Sequence, residues 1–401
     1  MKKLENLDNY IESIIVSFEE DLSKLISYPT VSSDPSLKEK ILEASHYASE
    51  LLRASGFGVE IFENGGNPVV IGSYERGRKL PWITIYNHLD VQPAQEEGWI
   101  TDPFVMRKID NRYYGRGSTD DKGPALVALY AARYAMENSF PVNLRFIWEF
   151  EEEIGSPSFE AFLKSKKNKL KSDLIVVSDT IWISRKKPAI SYFLRGLVGA
   201  TLRIETAEKE VHSGLTGGAA RNPLSEICEV ISKIHDARTG LIKIPGFYKD
   251  VRKPKEQEMK DFLSSGFSVR DFMKSHGLKS LRCTDRQEVI KRIWTMPTFE
   301  VHVINSSYPG PALKTVIPSW AEAKVSMRIV PDQDPHRIYK LFKDYVERIN
   351  SDIIVKPAAF IHPFFGKREG KFAKLIFDAI SFGFRKRPVF VREGGSIGAV
   401  V

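Results

Sequence analysis

Four short segments of this sequence place histidine or acidic residues at the end of an apolar run or in a glycine-rich loop. The run "WITIYN" is followed by His88 and Asp90, "LRFIWEF" by the glutamates at 151–153, and "LIVVS" by Asp179. Asp120 lies in "GRGSTDDKGP", where glycines permit a close backbone approach just before a helix begins. Ligands of open α/β sheets bind outside the carboxyl ends of the strands, so chemistry is expected at these positions.

Each of these residues also has a purely structural explanation. A histidine after a strand is often a hydrogen-bonded loop residue, Asp120 or Asp121 would serve as a helix N-cap, and consecutive glutamates often lie on a solvated face. Their convergence favours a different interpretation. An imidazole and several carboxylates at one sheet edge would repel one another without a cation, and zinc binds this mixture of nitrogen and oxygen ligands. Asp90 is suitably placed to hold the second ring nitrogen of His88 and fix its tautomer.

The elements that position these groups alternate between helix and strand from about residue 37 to residue 180. Apolar residues from Leu37 to Leu51 recur at helical spacing, and the pattern stops at Gly56. The apolar runs "PVVIGS", "WITIYN", "LRFIWEF" and "LIVVSD" predict strands, and "GPALVALYAARYAMENS" and "SFEAFLKSK" predict helices between them. Continuous apolar strands interleaved with helices indicate an α/β sheet covered on both faces.

The pattern changes near "SYFLRGLVGATLRIET", where a second, smaller α+β domain is predicted. It contains a helix at "PLSEICEVISKIHDA", a long charged segment to residue 292, alternating strands at "TFEVHVIN" and "EAKVSMRIV", and a helix at "PHRIYKLFKDYVERI". The alternation indicates a sheet with one exposed face. The final segment, "GKFAKLIFDAISFGF" and then "PVFVREGGSIGAVV", returns to a helix and a strand.

The composition is that of a globular protein with more than one core. The chain has 401 residues, of which 42% are hydrophobic and 27% charged, and two domains or one large domain with an insertion are expected. No apolar run is long enough to cross a bilayer, and the N-terminal segment predicts an amphipathic helix in place of a secretory signal, so the cytoplasm is the expected location.

Two further classes of function are disfavoured. The cysteines, Cys228 and Cys283, are too few for a disulfide framework or a thiolate metal site. The net charge of +8 comes from lysines scattered among acids, which is typical of solvated faces, so no nucleic-acid partner is expected.

A series of motifs across nearly the whole chain resembles the di-zinc metallopeptidase family of carnosine dipeptidases, acetylornithine deacetylase and succinyl-diaminopimelate desuccinylase, most closely the carnosine dipeptidase branch. The motifs are "HLDVQP", "GW", "PF", "YGRGSTDDKGP", "EEIGS", "VVSD", "RG", "HSG", "KTVIP", "MRIVP" and "REGGSI", in family order. The resemblance implies an α/β catalytic domain with a mixed, mainly parallel sheet flanked by helices, interrupted by an α+β lid that also forms a homodimer. It places the catalytic segments at 1–195 and 356–401 and the lid at 196–355.

The resemblance also assigns roles around two zinc ions, with manganese or cobalt as alternatives. His88 and Asp179 resemble ligands of one ion, Asp120 the bridging carboxylate, and Glu153 a ligand of the second ion. Glu152 resembles the general base that takes a proton from water and passes it to the leaving amine. We expect Glu152 and Glu153 to point to opposite sides of an extended backbone, so that one serves as base and the other as ligand. A cis peptide bond is expected after Asp120.

Further residues resemble the substrate site of the family. His212 resembles the histidine that reaches across a dimer to polarise the scissile carbonyl, and Arg328 the arginine that binds the free carboxylate of the substrate. Thr315 and Ser396 fall at substrate-contacting positions, and His362 matches a further substrate-contacting histidine in a less similar sequence. The implied substrate is a dipeptide or short peptide.

One ligand implied by the resemblance has no counterpart here. The family continues beyond "EGGSI" to a further histidine that completes the second zinc site, whereas this sequence ends at Val401 and has Gly398 where the family has proline. We therefore expect an incomplete second site, an incomplete sheet and poor hydrolysis. Three explanations are open: a fragment of an active peptidase, a homologue without catalysis, and a weak one-metal enzyme.

Two other functions stay open. One is N-acyl amino acid deacylation, and the other is that of a non-catalytic dimeric binding protein.

Overall fold

A computed structural model describes residues 2–63, 65–180, 182–184, 187–308 and 313–400. The chain divides into two compact units, one made of residues 1–180 with 398–400 and the other of residues 181–397 with residue 401. Among the described residues, no helix is both long enough and apolar enough to span a bilayer. The mixed α/β class predicted from the sequence is confirmed.

The first unit contains a five-stranded mixed sheet in the order β1-β2-β6-β3-β7, with a separate β4-β5 hairpin. Its strands are β1 (Gly58–Phe62), β2 (Val69–Tyr74), β3 (Trp82–His88), β4 (Arg107–Ile109), β5 (Arg112–Tyr114), β6 (Asn143–Glu149) and β7 (Leu174–Val177). Its helices are α1 (Lys2–Ile26), α2 (Lys38–Ala54), α3 (Lys122–Glu137) and α4 (Phe159–Lys166). The β6-β3 and β3-β7 pairs are parallel, and the other two are antiparallel.

Helices cover both faces of this sheet, as the continuous apolar strands predict. Ile85 of β3 belongs to the core formed with α1, α2 and α3. The next residue, Tyr86, points to the opposite face and contacts Phe159 of α4, with their ring centroids 5.6 Å apart. The central strand β3 is therefore fixed on both sides, and its carboxyl end is held in place.

The second unit contains a four-stranded antiparallel sheet in the order β12-β14-β10-β15. Its strands are β8 (Ala189–Ser191), β9 (Phe193–Leu194), β10 (Gly196–Glu205), β11 (Val211–His212), β12 (Thr298–Ser306), β13 (Val316–Ile317), β14 (Trp320–Ile329), β15 (Ile354–Ile361), β16 (Phe364–Phe365) and β17 (Val389–Val391). Its helices are α5 (Ser213–Thr216), α6 (Pro223–Ile234), α7 (Glu256–Ser264), α8 (Val269–Ser275), α9 (Arg286–Thr295), α10 (Pro335–Ile349) and α11 (Lys371–Phe384). The long charged segment before residue 292 thus contains three helices.

One face of this sheet packs against α6 and α10, through a core that includes Val198, Ile227 and Phe342. A second core of the same unit holds α7 and α9 against β17 and includes a buried polar cluster. In that cluster Glu258 accepts hydrogen bonds from the Tyr192 hydroxyl at 2.5 Å and from Arg392 Nη2 at 2.8 Å. Buried charges are tolerated when they are paired in this way.

Candidate metal centre and catalytic residues

The histidine at the end of β3 lies at the carboxyl edge of the sheet. β3 runs parallel to both of its neighbours, and His88 is in register with Glu149, the last residue of β6. Since parallel strands end at the same edge, the residues after β3, β6 and β7 come together there. Only 1% of the His88 surface is exposed.

Three carboxylates surround the His88 ring. Nε2 lies 2.9 Å from Oδ1 of Asp120 and 3.8 Å from Oδ2 of Asp179. Nδ1 lies 3.1 Å from the backbone oxygen of Asp90 and 3.3 Å from its Oδ1. Burial opposes protonation of His88, but the hydrogen bonds to Asp120 and Asp90 outweigh it and raise the pKa of the ring well above its usual value. One imidazole nitrogen and two carboxylates therefore converge on one point, with Asp90 behind the ring.

Asp90 also fixes the segment that carries the glutamates. Its side chain is fully buried, and its two oxygens accept hydrogen bonds from the backbone N–H groups of Glu152, at 3.2 Å, and Glu153, at 3.0 Å. A single carboxylate thus links the turn after β6 to the histidine after β3. This arrangement places the Glu152 side chain beside the His88 group.

The expectation of an extended backbone at Glu152 and Glu153 is wrong. Glu152–Ile154 forms a 3₁₀ turn, in which successive side chains are rotated by about 120° instead of alternating sides. The Glu153 carboxylate accepts a hydrogen bond from Gln92 Nε2 at 2.6 Å. Burial is the largest cause that raises the pKa of Glu152, to about 8, and nearby carboxylates add to it. Burial also raises the pKa of Glu153.

Asp120 is presented by a glycine-rich loop whose geometry requires those glycines. Gly117 has a φ of +89°, and a Cβ added to Gly123 would lie 2.0 Å from the backbone oxygen of Ser118. The peptide bond between Asp120 and Asp121 is cis, as expected from the resemblance. The Asp120 side chain is 65% exposed, so one of its oxygens contacts His88 while the carboxylate stays open to the solvent.

Asp121 and Lys122, next to Asp120, were not identified as functional from the sequence. Asp121 is fully buried and accepts hydrogen bonds from Asn87 Nδ2 at 2.7 Å and from the His88 backbone N–H at 3.3 Å. Burial raises its pKa to about 8. Lys122 is also fully buried, and its ammonium donates to the backbone oxygens of Leu25 and Tyr28. A run of three charged residues at the start of an apolar helix is the signal that could have found them.

The substrate-site candidates lie in the second unit and form two pairs and a separate histidine. His212 and Thr315 are neighbours, because β11 pairs with β13 and the Ser213 N–H donates to the Thr315 backbone oxygen at 3.0 Å. Arg328 Nη1 donates to Ser396 Oγ at 2.8 Å. His362 is exposed and lies 4.0 Å from Asp334, measured from Nδ1 to Oδ2.

The first unit can hold a divalent cation. The ligand atoms of His88, Asp120 and Asp179 all lie within 4.8 Å of one another. Burial raises the pKa of Glu152 to about 8, and the nearby Asp179, Glu153 and Asp90 carboxylates raise it further. A mixed nitrogen and oxygen ligand set beside a half-buried glutamate, at the carboxyl edge of an α/β sheet, defines the site of a metal-dependent hydrolase.

Comparison with known proteins identifies the family. The chain belongs to Peptidase family M20/M25/M40, whose model matches residues 84–364, and it is a metallopeptidase. It is 30% identical over 366 residues to the Beta-Ala-His dipeptidase of Mus musculus, covering 87% of this chain and 74% of that protein. It is 31% identical over 424 residues to the Cys-Gly metallodipeptidase DUG1 of Candida albicans, covering 98% and 86%.

Solved structures show the same fold. The dipeptidase Dug1p of Saccharomyces cerevisiae superposes with a TM-score of 0.87 at 28% identity, over 97% of this chain and 86% of that one. Human carnosine dipeptidase 1 superposes with a TM-score of 0.86 at 27% identity, over 99% and 88%. The resemblance inferred from the sequence motifs is confirmed.

Proposed function

We propose that this protein hydrolyses the amide bond of dipeptides or short peptides that carry a free C-terminal carboxylate. The observation that carries the proposal is the convergence of His88, Asp120 and Asp179 beside Glu152 at one sheet edge. The names of the relatives support the substrate class, because both the Beta-Ala-His and the Cys-Gly enzymes are dipeptidases.

We propose zinc as the metal, with manganese or cobalt as alternatives, held by His88, Asp120 and Asp179. Zinc commonly binds one or more imidazoles together with carboxylates. When bound, such an ion polarises the carbonyl of an amide and increases the acidity of water. Asp90 orients His88 by holding Nδ1, so that Nε2 points towards the ligand oxygens.

We propose Asp120 and Glu153 as protein ligands of a second ion, which needs further ligands to reach the four of a normal zinc site. Metal content per chain, measured together with activity on a dipeptide panel, tests this. One bound ion per chain with full dipeptidase turnover would refute it.

Glu152 serves as the general base in this proposal. It accepts a proton from the attacking water and delivers it to the leaving amine, a role that needs a carboxylate whose pKa lies near the working pH. Its pKa of about 8 comes chiefly from burial, and a neighbouring cation would lower it towards neutrality. Glu153 is separated from this role by its hydrogen bond to Gln92.

His212 stabilises the developing negative charge on the carbonyl oxygen. Its Nδ1 accepts a hydrogen bond from the Gly214 N–H at 3.0 Å, which leaves Nε2 as the ring nitrogen available to donate. Nε2–H is then a donor on an exposed side chain. Loss of such a donor typically costs about 10²–10³ in rate. Thr315, next to His212, contacts the substrate.

Arg328 binds the free carboxylate of the substrate. A guanidinium recognises a carboxylate through two parallel hydrogen bonds, and Ser396 Oγ holds Nη1 of Arg328 in position. Ser396 and His362 complete the substrate contacts. This preference for a free carboxylate distinguishes a dipeptidase from an endopeptidase.

The decisive experiment substitutes Glu152→Gln and measures bound metal and turnover together. We expect at least about a hundredfold loss of turnover with metal content unchanged. Glu160→Gln is the matched control, because Glu160 is an exposed glutamate of α4 with an ion pair to Lys164. If Glu152→Gln keeps full activity, Glu152 is not the base. If the wild type shows no turnover while still binding a peptide, the hydrolase assignment fails and a binding role replaces it.

A substrate panel separates the two enzyme assignments. Dipeptides are compared with acetyl and succinyl amino acids under the same metal loading. The proposal predicts that dipeptides have the higher kcat/KM. A reversed order would make the protein an N-acyl amino acid deacylase.

We further propose that the second unit forms a homodimer. Edge strand β12 supports this, because an exposed edge strand can pair with a second chain. Its apolar residues Val301, Val303 and Ile304 each have between 38% and 42% of their surface exposed. Light scattering of the purified protein tests it, and a monomer at micromolar concentration would refute it. The cytoplasmic location stays a prediction.

A further inference from the structure

A cavity with both polar and apolar lining lies in the first unit, against one face of its sheet. The cavity has a volume of about 210 Å³ and is lined by Glu60, Ile71, Ser73, Trp82, Arg145, Lys169 and Leu170. The strand residues lie on one face, because Glu60 pairs with Ile71, Ser73 pairs with Arg145, and Arg145 pairs with Thr84, two residues after Trp82. Lys169 and Leu170, which follow α4, line the rest.

Arg145 is the unusual member of this face. It interrupts the apolar strand "LRFIWEF" and is 6% exposed, yet it has no ion pair with a carboxylate in the described part of the chain. Arginine is seldom buried without an anionic partner, since removing its charge from water is costly. A buried guanidinium without a carboxylate therefore indicates that a ligand can supply the negative charge.

The guanidinium is held with one edge available. Nη1 donates to the Lys171 backbone oxygen at 3.2 Å, to Ser172 Oγ at 3.3 Å and to Thr84 Oγ1 at 3.4 Å. The planar group also stacks on the Trp82 ring, with the guanidinium carbon 4.3 Å from the ring centroid. Nε and Nη2 have no acceptor among the residues described. These two nitrogens form the fork with which arginine binds oxyanions.

The charges around the cavity favour an anion. Arg145 and Lys169 line it together with one carboxylate, that of Glu60. Glu60 is already engaged by Lys166 Nζ at 2.9 Å and Lys169 Nζ at 3.2 Å. The nearby Asp173 accepts a hydrogen bond from the Trp82 N–H at 2.9 Å. Neither acid neutralises Arg145.

We propose that this cavity is a binding site for a small tetrahedral oxyanion, such as inorganic phosphate or sulfate. The Nε and Nη2 edge of Arg145 donates two hydrogen bonds to the anion, Ser73 Oγ a third, and Lys169 adds a positive charge at the opening. Trp82 fixes the plane of the guanidinium, so the fork is set before the ligand arrives. This site is separate from the His88 group, and the proposal does not depend on the peptidase function.

The test titrates the metal-loaded full chain with sulfate, phosphate and acetate in separate experiments, and calorimetry measures the binding of each anion. We expect saturable binding of sulfate and phosphate and weaker binding of acetate. Arg145→Gln should weaken phosphate binding by at least about tenfold, because it removes hydrogen bonds to a charged group. Sulfate is included because phosphate also binds metal ions, and weaker sulfate binding in Arg145→Gln assigns that binding to the cavity.

Two surface variants keep the test informative if Arg145→Gln does not fold. Lys169→Gln should weaken binding by about three- to fivefold. Glu60→Gln should strengthen it, because it removes the one carboxylate among the described lining residues. Lys167→Gln is the matched control, since Lys167 is exposed and does not line the cavity. The proposal is overturned if the wild type shows no saturable binding, or if Lys167→Gln and Lys169→Gln have equal effects. Preference for acetate over sulfate would also overturn it.

Discussion

Replacement of Asp90 by asparagine should damage the metal centre although no proposed ligand or base is changed. The Asp90 carboxylate is fully buried and accepts hydrogen bonds from two backbone N–H groups, those of Glu152 and Glu153, while Oδ1 lies 3.3 Å from His88 Nδ1. Asparagine offers one acceptor oxygen, so its amide nitrogen would face one of these donors. The turn that carries Glu152 and the orientation of His88 are both expected to loosen.

The magnitude follows from these contacts. One hydrogen bond to a charged acceptor is lost and a buried N–H is left without a partner, which together cost about 3 kcal/mol. For a unit of this size that corresponds to a decrease in Tm of roughly 6–12 °C. Residues that orient metal-bound histidines typically affect metal affinity by about 10- to 100-fold, and we expect a loss in this range.

The assay compares thermal unfolding and zinc affinity of Asp90→Asn and the wild type. Asp102→Asn is the control, because the exposed Asp102 accepts one backbone hydrogen bond, from the Phe104 N–H at 2.8 Å, which asparagine can still accept. Asp90 repels Glu152 and Glu149 and thereby raises their pKa values, so without a bound cation its negative charge is partly unfavourable. The loss of stability in Asp90→Asn should therefore be larger with metal bound than after chelation. Unchanged zinc affinity in Asp90→Asn would refute the reasoning.

Three further predictions follow from the structure. Chelation should abolish turnover and zinc should restore it, whereas a metal-independent activity would exclude the proposed site. Burial opposes the ionisation of Glu258, but its hydrogen bonds outweigh burial and lower its pKa below the usual 4.5. Ionised Glu258 therefore contributes its full stabilisation above pH 4.5, and this contribution is lost as the pH falls through the pKa of the folded state. Denaturant titrations should show that the free energy of unfolding changes less between pH 6 and pH 4 in Glu258→Gln than in the wild type. Equal changes would contradict this. Gly123→Ala should prevent folding of the first unit or lower its Tm severely, because the added Cβ meets a backbone oxygen at 2.0 Å. Gly383→Ala, in α11 with open space around it, should be neutral or stabilising by up to about 1 kcal/mol; equal Tm values for these two variants would contradict the packing argument.

The sequence allowed prediction of those site residues whose position follows from strand topology. His88 ends β3 and Asp179 follows the parallel strand β7, so their meeting at one edge is a consequence of the sheet. The amphipathic helix α10 and the alternating strand β14 could also be predicted, because each repeats its hydrophobic pattern over ten residues or more. The three helices between 256 and 295 were missed as helices because their apolar positions are sparse among charges.

The buried charges could not be predicted, because burial of a polar residue depends on contacts distant in sequence. Lys122 is enclosed because the backbone oxygens of Leu25 and Tyr28, nearly a hundred residues earlier, accept its hydrogen bonds. Arg145 is enclosed because Trp82 stacks on it and Lys171 and Ser172 accept from Nη1. Neither set of partners is visible in the local pattern.

The three consecutive glutamates show how position alone separates identical side chains. Glu151 accepts hydrogen bonds from the Asn67 N–H and from Ser158, and is therefore a structural anchor of the turn. Glu152 and Glu153 have their backbone N–H groups fixed by Asp90, but the Gln92 amide engages the Glu153 carboxylate. Glu152 is half-buried beside other acids, and burial together with these neighbours raises its pKa to about 8. A base that must take up and release a proton near neutral pH needs that environment, and the sequence "EEE" does not reveal which glutamate has it.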